Sequence, residues 1–121
     1  RKEGLSIYRF NKINIERKKT WIEICLADTL GPIIAATDYM RILPDMIRNW
    51  IPRKYITLGT DGYGRSDTRV NLRSFFEIDK YHIVLASIKA LIDENKMPYD
   101  SLKKVISKYD LKISSEDPWK I

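Results

Sequence analysis

Three glycines in the stretch Gly59-Thr60-Asp61-Gly62-Tyr63-Gly64, followed by Arg65-Ser66-Asp67, make the one local arrangement in this 121-residue sequence that looks like a ligand loop. Glycine permits positive φ and close backbone approach, and N–H groups gathered ahead of a helix can cradle an anion. The spacing departs from the phosphate fingerprints. A dinucleotide loop needs glycines at positions one, three and six, and a phosphate loop needs a Lys-Ser or Lys-Thr pair after its last glycine. The loop therefore reads as a tight structural turn, with a small anion- or nucleotide-binding α/β module using Gly59 to Asp67 as the alternative. Asp38 and Asp61 each stand just beyond a strand-like run, at the carboxyl end where open α/β sheets place ligands. Turn formation and helix capping explain both equally well.

The remaining reactive side chains are isolated. His82 is the single histidine and lies in an apolar helical pattern, where a packed or partly exposed role is expected rather than that of a general base, which needs a partner and a substrate position. Without a second histidine or a serine in a nucleophile elbow, neither a triad nor a metal site is specified. Cys25 is the only cysteine; it excludes an internal disulfide, fits a reducing, cytoplasmic setting, and is expected as a small apolar core residue.

The elements that position these residues follow from apolar spacing. Trp21 to Ala27 reads as a short amphipathic helix, broken by Gly31-Pro32 before the strand-like run Ile33 to Ala36. Pro44 suits the first turn of a helix that would place Met46, Ile47, Trp50 and Ile51 on one face until Pro52. Tyr55 to Leu58 is the second strand, leading into the glycine loop. Ser66 is expected to cap the next helix, with Asp67 near the positive end of its dipole and Leu72, Phe75 and Phe76 facing inward. Asp79 caps a helix carrying Val84, Leu85, Ile88, Leu91 and Ile92, and after Pro98 the set Leu102, Val105, Ile106 and Tyr109 repeats the pattern. Strands separated by helices imply an α/β fold with mostly parallel strands. Only two strands are readable, so the sheet is expected to be small or completed by other sequence.

A net charge of +6 raises the possibility of a basic nucleic-acid binder. Its distribution argues against one. Residues 1–19 hold seven basic side chains against Glu3 and Glu16, while residues 20–121 hold fifteen basic against fourteen acidic. The basicity belongs to a leading segment, residues 1–20, expected to be polar and solvated, with a tail at residues 110–121. A nucleic-acid partner is therefore not expected, and neither is a membrane partner, because no apolar run approaches the roughly 20 residues that span a bilayer.

Thr37-Asp38-Tyr39-Met40 and then Gly59-Thr60-Asp61-Gly62-Tyr63-Gly64-Arg65-Ser66-Asp67-Thr68-Arg69 closely resemble the C-terminal domain of the homodimeric bacterial pyruvate dehydrogenases. The resemblance continues through Asn71-Leu72-Arg73 and Phe76-Glu77-Ile78-Asp79 and is densest over residues 31–92. It implies a transketolase C-terminal-like, three-layer α/β fold and assigns residues 1–121 to the C-terminal part of that domain. Members of the family carry a strand, a helix and another strand ahead of the segment matching Arg1 to Asn11, so the first strands are expected to be missing here. The complete enzymes of the family decarboxylate pyruvate on thiamine diphosphate with magnesium and acetylate the lipoyl group of dihydrolipoyl acetyltransferase. The cofactor signature of that family, Gly-Asp-Gly with an asparagine some thirty residues on, has no counterpart: Thr60 precedes Asp61-Gly62, and Asn71 comes too soon. The resemblance therefore implies no catalytic, cofactor or metal residue in this chain. Its role would be architectural, supporting the remaining domains and the homodimer mate. The candidate interface is Asp38, Gly59, Thr60, Asp61, Gly62, Tyr63, Gly64, Arg65, Ser66, Asp67 and Arg69, with Arg65 or Arg69 reaching outside the segment. One departure is Val70, where the family usually carries glutamate.

Overall fold

In a computed structural model, which describes residues 1–62 and 66–118, the basic leading segment is folded rather than simply solvated. It forms helix α1 (Lys2–Ile13), whose inner face is Gly4, Ile7, Phe10 and Asn11. Spacing of three and four residues puts these on one side. Gly4 is buried there against the Trp50 indole, so closely that a Cβ would lie 2.4–2.8 Å from the ring. Asn11 then pins the returning chain, donating to Lys18 O (2.8 Å) and accepting from Lys18 N (2.7 Å), while Lys18 Nζ sits 4.0 Å from the centre of the Phe10 ring. Charge alone misjudged this segment, since its apolar residues suffice for one packed stripe.

Thr20 starts helix α2 (Trp21–Leu26) through a capping box, its hydroxyl accepting from Glu23 N and its own N–H donating to Glu23 Oε2 (2.8 Å). Such reciprocal bonds satisfy two otherwise orphaned donors. Cys25 is exposed, contrary to the expectation of a core residue: the half-buried positions are Ile22, Glu23 and Leu26, and Cys25 lies rotated away from them.

Gly31 takes φ +92°, turning the chain into strand β1 (Ile33–Ala36), which pairs in parallel with β2 (Tyr55–Leu58) in the register Ile33↔Tyr55 to Ala36↔Leu58. Parallel strands need a crossover. Here it contains α3 (Ile42–Asp45) and a 3₁₀ turn, Arg48–Trp50, in place of the single longer helix expected from Pro44 onward. Pro44 is the third helical residue, where its missing N–H costs no intrahelical bond. The helix stops because Arg48 is tied to β2, donating to Tyr55 O (2.6 Å) and to Asp45 Oδ1 (2.7 Å).

The remaining helices are α4 (Arg69–Phe75), α5 (Lys80–Asp93) and α6 (Asp100–Lys108). α5 packs on β1 and α6 on α5, with the Tyr81 and Tyr109 rings 5.4 Å apart. Ser66 is not the α4 cap. Thr68 is, accepting from Asn71 N, while Asp67 accepts from Thr68 N and Asn71 Nδ2; a threonine one residue before the helix has the better reach. Asp79 caps α5 through His82 N (3.0 Å) as expected. All three helices end on a left-handed residue that is not glycine, Glu77, Asn95 and Asp110, with the following N–H reaching back to Arg73 O, Leu91 O and Ile106 O. The described residues thus make a two-stranded parallel sheet with helices, an α/β arrangement.

Candidate functional site

The two strand ends and the residues after them carry the polar groups singled out in the sequence, and the structure joins them to one another. Thr37 N donates to Leu58 O (2.9 Å), extending the ladder by one step beyond β1. Thr60 then bonds back twice, its N–H to Tyr39 O (2.9 Å) and its hydroxyl to Asp38 O (3.2 Å). Gly59 is required by this approach: a Cβ would stand 2.7 Å from Tyr39 O and 2.8 Å from Arg41 N. Gly62 serves differently, with φ +116°. Tyr63, Gly64 and Arg65 lie outside the described residues.

Each aspartate takes an arginine from another element. Asp61 accepts from Arg41 N (2.9 Å) and Arg41 Nε (2.5 Å), joining the β2 loop to the start of α3. Asp38 accepts from Arg73 Nε (3.1 Å) and Nη2 (2.8 Å), joining the β1 end to α4. The two-point guanidinium–carboxylate contact of Arg73 with Asp38 fixes orientation as well as charge, and Asp61 is fixed in a similar way by one backbone and one guanidinium donor of Arg41. The Asp38 carboxyl is held below its ordinary range by the Arg73 hydrogen bonds, with the Arg69 charge adding to the effect. For Asp61, partial burial pushes upward, but the Arg41 side-chain and backbone donors outweigh it and the net direction is down. Asp67, before α4, is lowered by its bonds from Asn71 and Thr68 N.

The Thr60 bonds and the two aspartate–arginine pairs make a clasp between the two loops, and a second polar group lies close enough to Arg41 and Asp61 for its charge to be felt there. Asp45 accepts from Arg48 and from the buried Thr57 hydroxyl (2.9 Å), and the Tyr55 hydroxyl donates to Pro44 O (2.8 Å). Arg48 is the main reason that Asp45 stays below the usual carboxylate range, and burial raises the Tyr55 phenol.

Of the residues expected at a site, Asp38, Gly59, Thr60 and Asp61 are therefore brought together with Arg41 and Arg73. Ser66, Asp67 and Arg69 are exposed at the start of α4, and Asp67 is used in holding that helix. Arg41 and Arg73 were not among the expected site residues; the signal for Arg41 was its place directly after Thr37 to Met40, and for Arg73 its place in Asn71-Leu72-Arg73. His82 stands apart, its Nδ1 2.7 Å from the Asp79 carboxylate that also caps the helix. Beside Asp38 and Arg73 opens a cleft of about 560 Å³, with Val70, Lys80 and Tyr81 on its walls. Among the described residues, no group of three or more His, Cys, Asp or Glu is placed to hold a metal, and no helix is long and apolar enough to cross a membrane. Donors and acceptors here are matched to each other, an arrangement suited to holding two loops in register.

Residues 5–79 match the model of the transketolase-like TK C-terminal domain, a span that includes every member of the clasp. The chain is 41% identical over 122 residues to a protein of Cupriavidus necator called pyruvate dehydrogenase E1 component, covering 99% of this chain and 14% of the relative. A Pseudomonas aeruginosa protein of the same name is 40% identical over 121 residues, covering 98% of this chain and 14% of the relative. One from Mycolicibacterium smegmatis is 46% identical over 72 residues, 60% of this chain and 8% of the relative. The chain thus spans about a seventh of the first two of these relatives.

Proposed function

The chain belongs to the transketolase-like C-terminal domain family, and from that membership we propose that it is the C-terminal portion of a pyruvate dehydrogenase E1 component with an architectural, non-catalytic role. Residues 1–121 form one unit of that domain. Their sheet is continued, and their apolar faces covered, by the larger part of the enzyme. In this reading pyruvate is decarboxylated on thiamine diphosphate and magnesium held by the other domains, and the acetyl group passes to lipoyl groups of dihydrolipoyl acetyltransferase, in a cytoplasmic setting.

The observation that supports the architectural role is the clasp itself. Thr37 to Tyr39, Arg41, Thr60, Asp61 and Arg73, all within the span that matches the family, bond to one another instead of presenting free acids, bases or nucleophiles. Ser66, Asp67 and Arg69 are exposed, and together with Arg65 they are the proposed interface to the rest of the enzyme and its homodimer mate. A graft tests this. The Cupriavidus necator relative is expected to lose activity and solubility when its matching segment is deleted, and to regain both when this chain is joined in its place. A graft that stays insoluble or inactive, while the relative's own segment restores function in the same vector, would overturn the reading.

A further inference from the structure

The outward face of α1 combines two features that rarely coexist on a surface left in water. Apolar side chains stand out from it, with Leu5 45%, Tyr8 64% and Ile13 73% exposed, and Trp21 at the start of α2 is 66% exposed. Cations surround them. Among the described residues Arg1, Lys2, Arg9, Lys12 and Lys19 make no ion pair, whereas Arg17 is bound by Glu23 and Lys18 rests on Phe10. The acidic side chains of the segment do not neutralise the face, because Glu3 is turned to Trp21 N and Glu16 lies beyond the helix. Residues 1–19 carry +5 of the chain's +6.

The spacing makes this a stripe. Arg1, Leu5, Tyr8 and Lys12 follow one another at intervals of four, three and four residues, flanked by Lys2, Arg9 and Ile13, so a single helix face presents an apolar centre with a basic rim. Leu5 and Tyr8 also border a groove of about 680 Å³ that they share with the inner-face residues Ile7 and Asn11 and with Thr20 and Trp50. The inner face of the same helix is already used against Trp50, which leaves this outer face without a partner among the described residues.

We propose that the outer face of α1 is a docking surface for an acidic, partly apolar segment of the larger part of the same enzyme. This rests on the function proposed above. The occupant follows from charge complementarity and from length: an unpaired basic rim calls for carboxylates, exposed Leu5, Tyr8 and Trp21 call for apolar cover, and relatives of this chain extend over about seven times its length. Complementary charge selects the partner and its register, while the apolar centre excludes water around the contact.

The test uses the grafted enzyme, in which success of the graft and success of the docking surface are read separately. Arg9→Glu combined with Lys12→Glu reverses the rim without touching the inner face, and Lys103→Glu with Lys104→Glu on α6 is the control. Hydrogen exchange of peptides covering Lys2 to Ile13 is expected to accelerate by about tenfold or more in the first variant and to stay unchanged in the control. High salt should weaken protection of the same peptides in the unaltered graft. If the graft is active and soluble but the rim variant exchanges like the unaltered protein, the docking surface is refuted while the function stands. If the graft itself fails, both are refuted. Binding of this chain to phosphatidylglycerol vesicles, to duplex DNA or to a second copy of itself that the rim variant abolishes, with exchange in the graft unaffected, would assign α1 to that partner and overturn the proposal.

Discussion

At the scale of the residue, the family-like motif is a set of mutual obligations. Asp61 pairs with Arg41 and Asp38 with Arg73, and the direction of the Asp61 shift fixes how stability responds to acid. Its folded carboxyl lies below the ordinary value, so the unfolded chain takes up its proton first as pH falls. The contribution of the pair is complete above the unfolded value of about 3.9 and disappears as pH drops through the lower folded value. Urea midpoints measured from pH 6 to pH 3 should therefore fall at the acid end, and Asp61→Asn should flatten that part of the profile; an unchanged profile would contradict the assignment. Glu77 offers the opposite opportunity. It holds φ +59° at the end of α4, a conformation costing a non-glycine residue roughly 1 kcal/mol or more. Glu77→Gly should raise stability by about 0.5 to 1 kcal/mol, since glycine gives back part of the gain as unfolded-state entropy. Asn95→Gly should yield less, because asparagine tolerates the left-handed region.

At the scale of the element, Gly59 decides whether the β2 loop can lie on the segment after β1. A methyl group there meets backbone atoms of Tyr39 and Arg41 at 2.7 and 2.8 Å, neither of which can swing aside as a side chain would. Gly59→Ala should cost about 1 to 3 kcal/mol, and thermal unfolding would show it; Gly31→Ala, which meets nothing within 4 Å but is strained at φ +92°, separates clash from backbone strain. Much of this level was legible in the sequence. Both strands, the α5 cap at Asp79 and the glycine turn followed from short-range chemistry, which depends on neighbours a few residues away. What was not legible depended on distant partners. Arg48 shortens α3 by reaching Tyr55 O, Asp38 and Asp61 find arginines 35 and 20 residues away, and Gly4 lets α1 settle on Trp50. Such contacts leave no local periodicity. The choice of Thr68 over Ser66 as cap is a different case, where two hydroxyl residues compete and the helix boundary, usually uncertain by one or two positions, decides.

At the scale of the whole molecule, burial is sparse where the sequence is apolar. Among the described residues only Tyr55, Ile78 and Ala90 are buried hydrophobics, while Leu30 is 96% and Val70 76% exposed. The two strands satisfy each other along one side, and among the described residues each leaves an outer row of N–H and C=O groups without a strand, an edge that pairs readily with any other chain. Covering three or four large apolar side chains contributes about 1.5 to 3 kcal/mol each, comparable with the whole stability of a typical domain at about 5 to 15 kcal/mol. The 121 residues alone should therefore be marginal. Sedimentation velocity is expected to show association that grows with concentration, and thermal unfolding a broad transition with weak near-ultraviolet dichroism, while α5 and α6 keep a helical far-ultraviolet signal. Calorimetric titration with thiamine diphosphate and magnesium should give no saturable heat, because the polar groups of the clasp are already paired and belong to no diphosphate cradle. A monodisperse monomer with one sharp transition would show that the exposed faces need no cover, and saturable cofactor binding at micromolar concentration would move the chemistry into this chain; the first result would remove the need for a larger enzyme around these residues, and the second the non-catalytic role proposed for them.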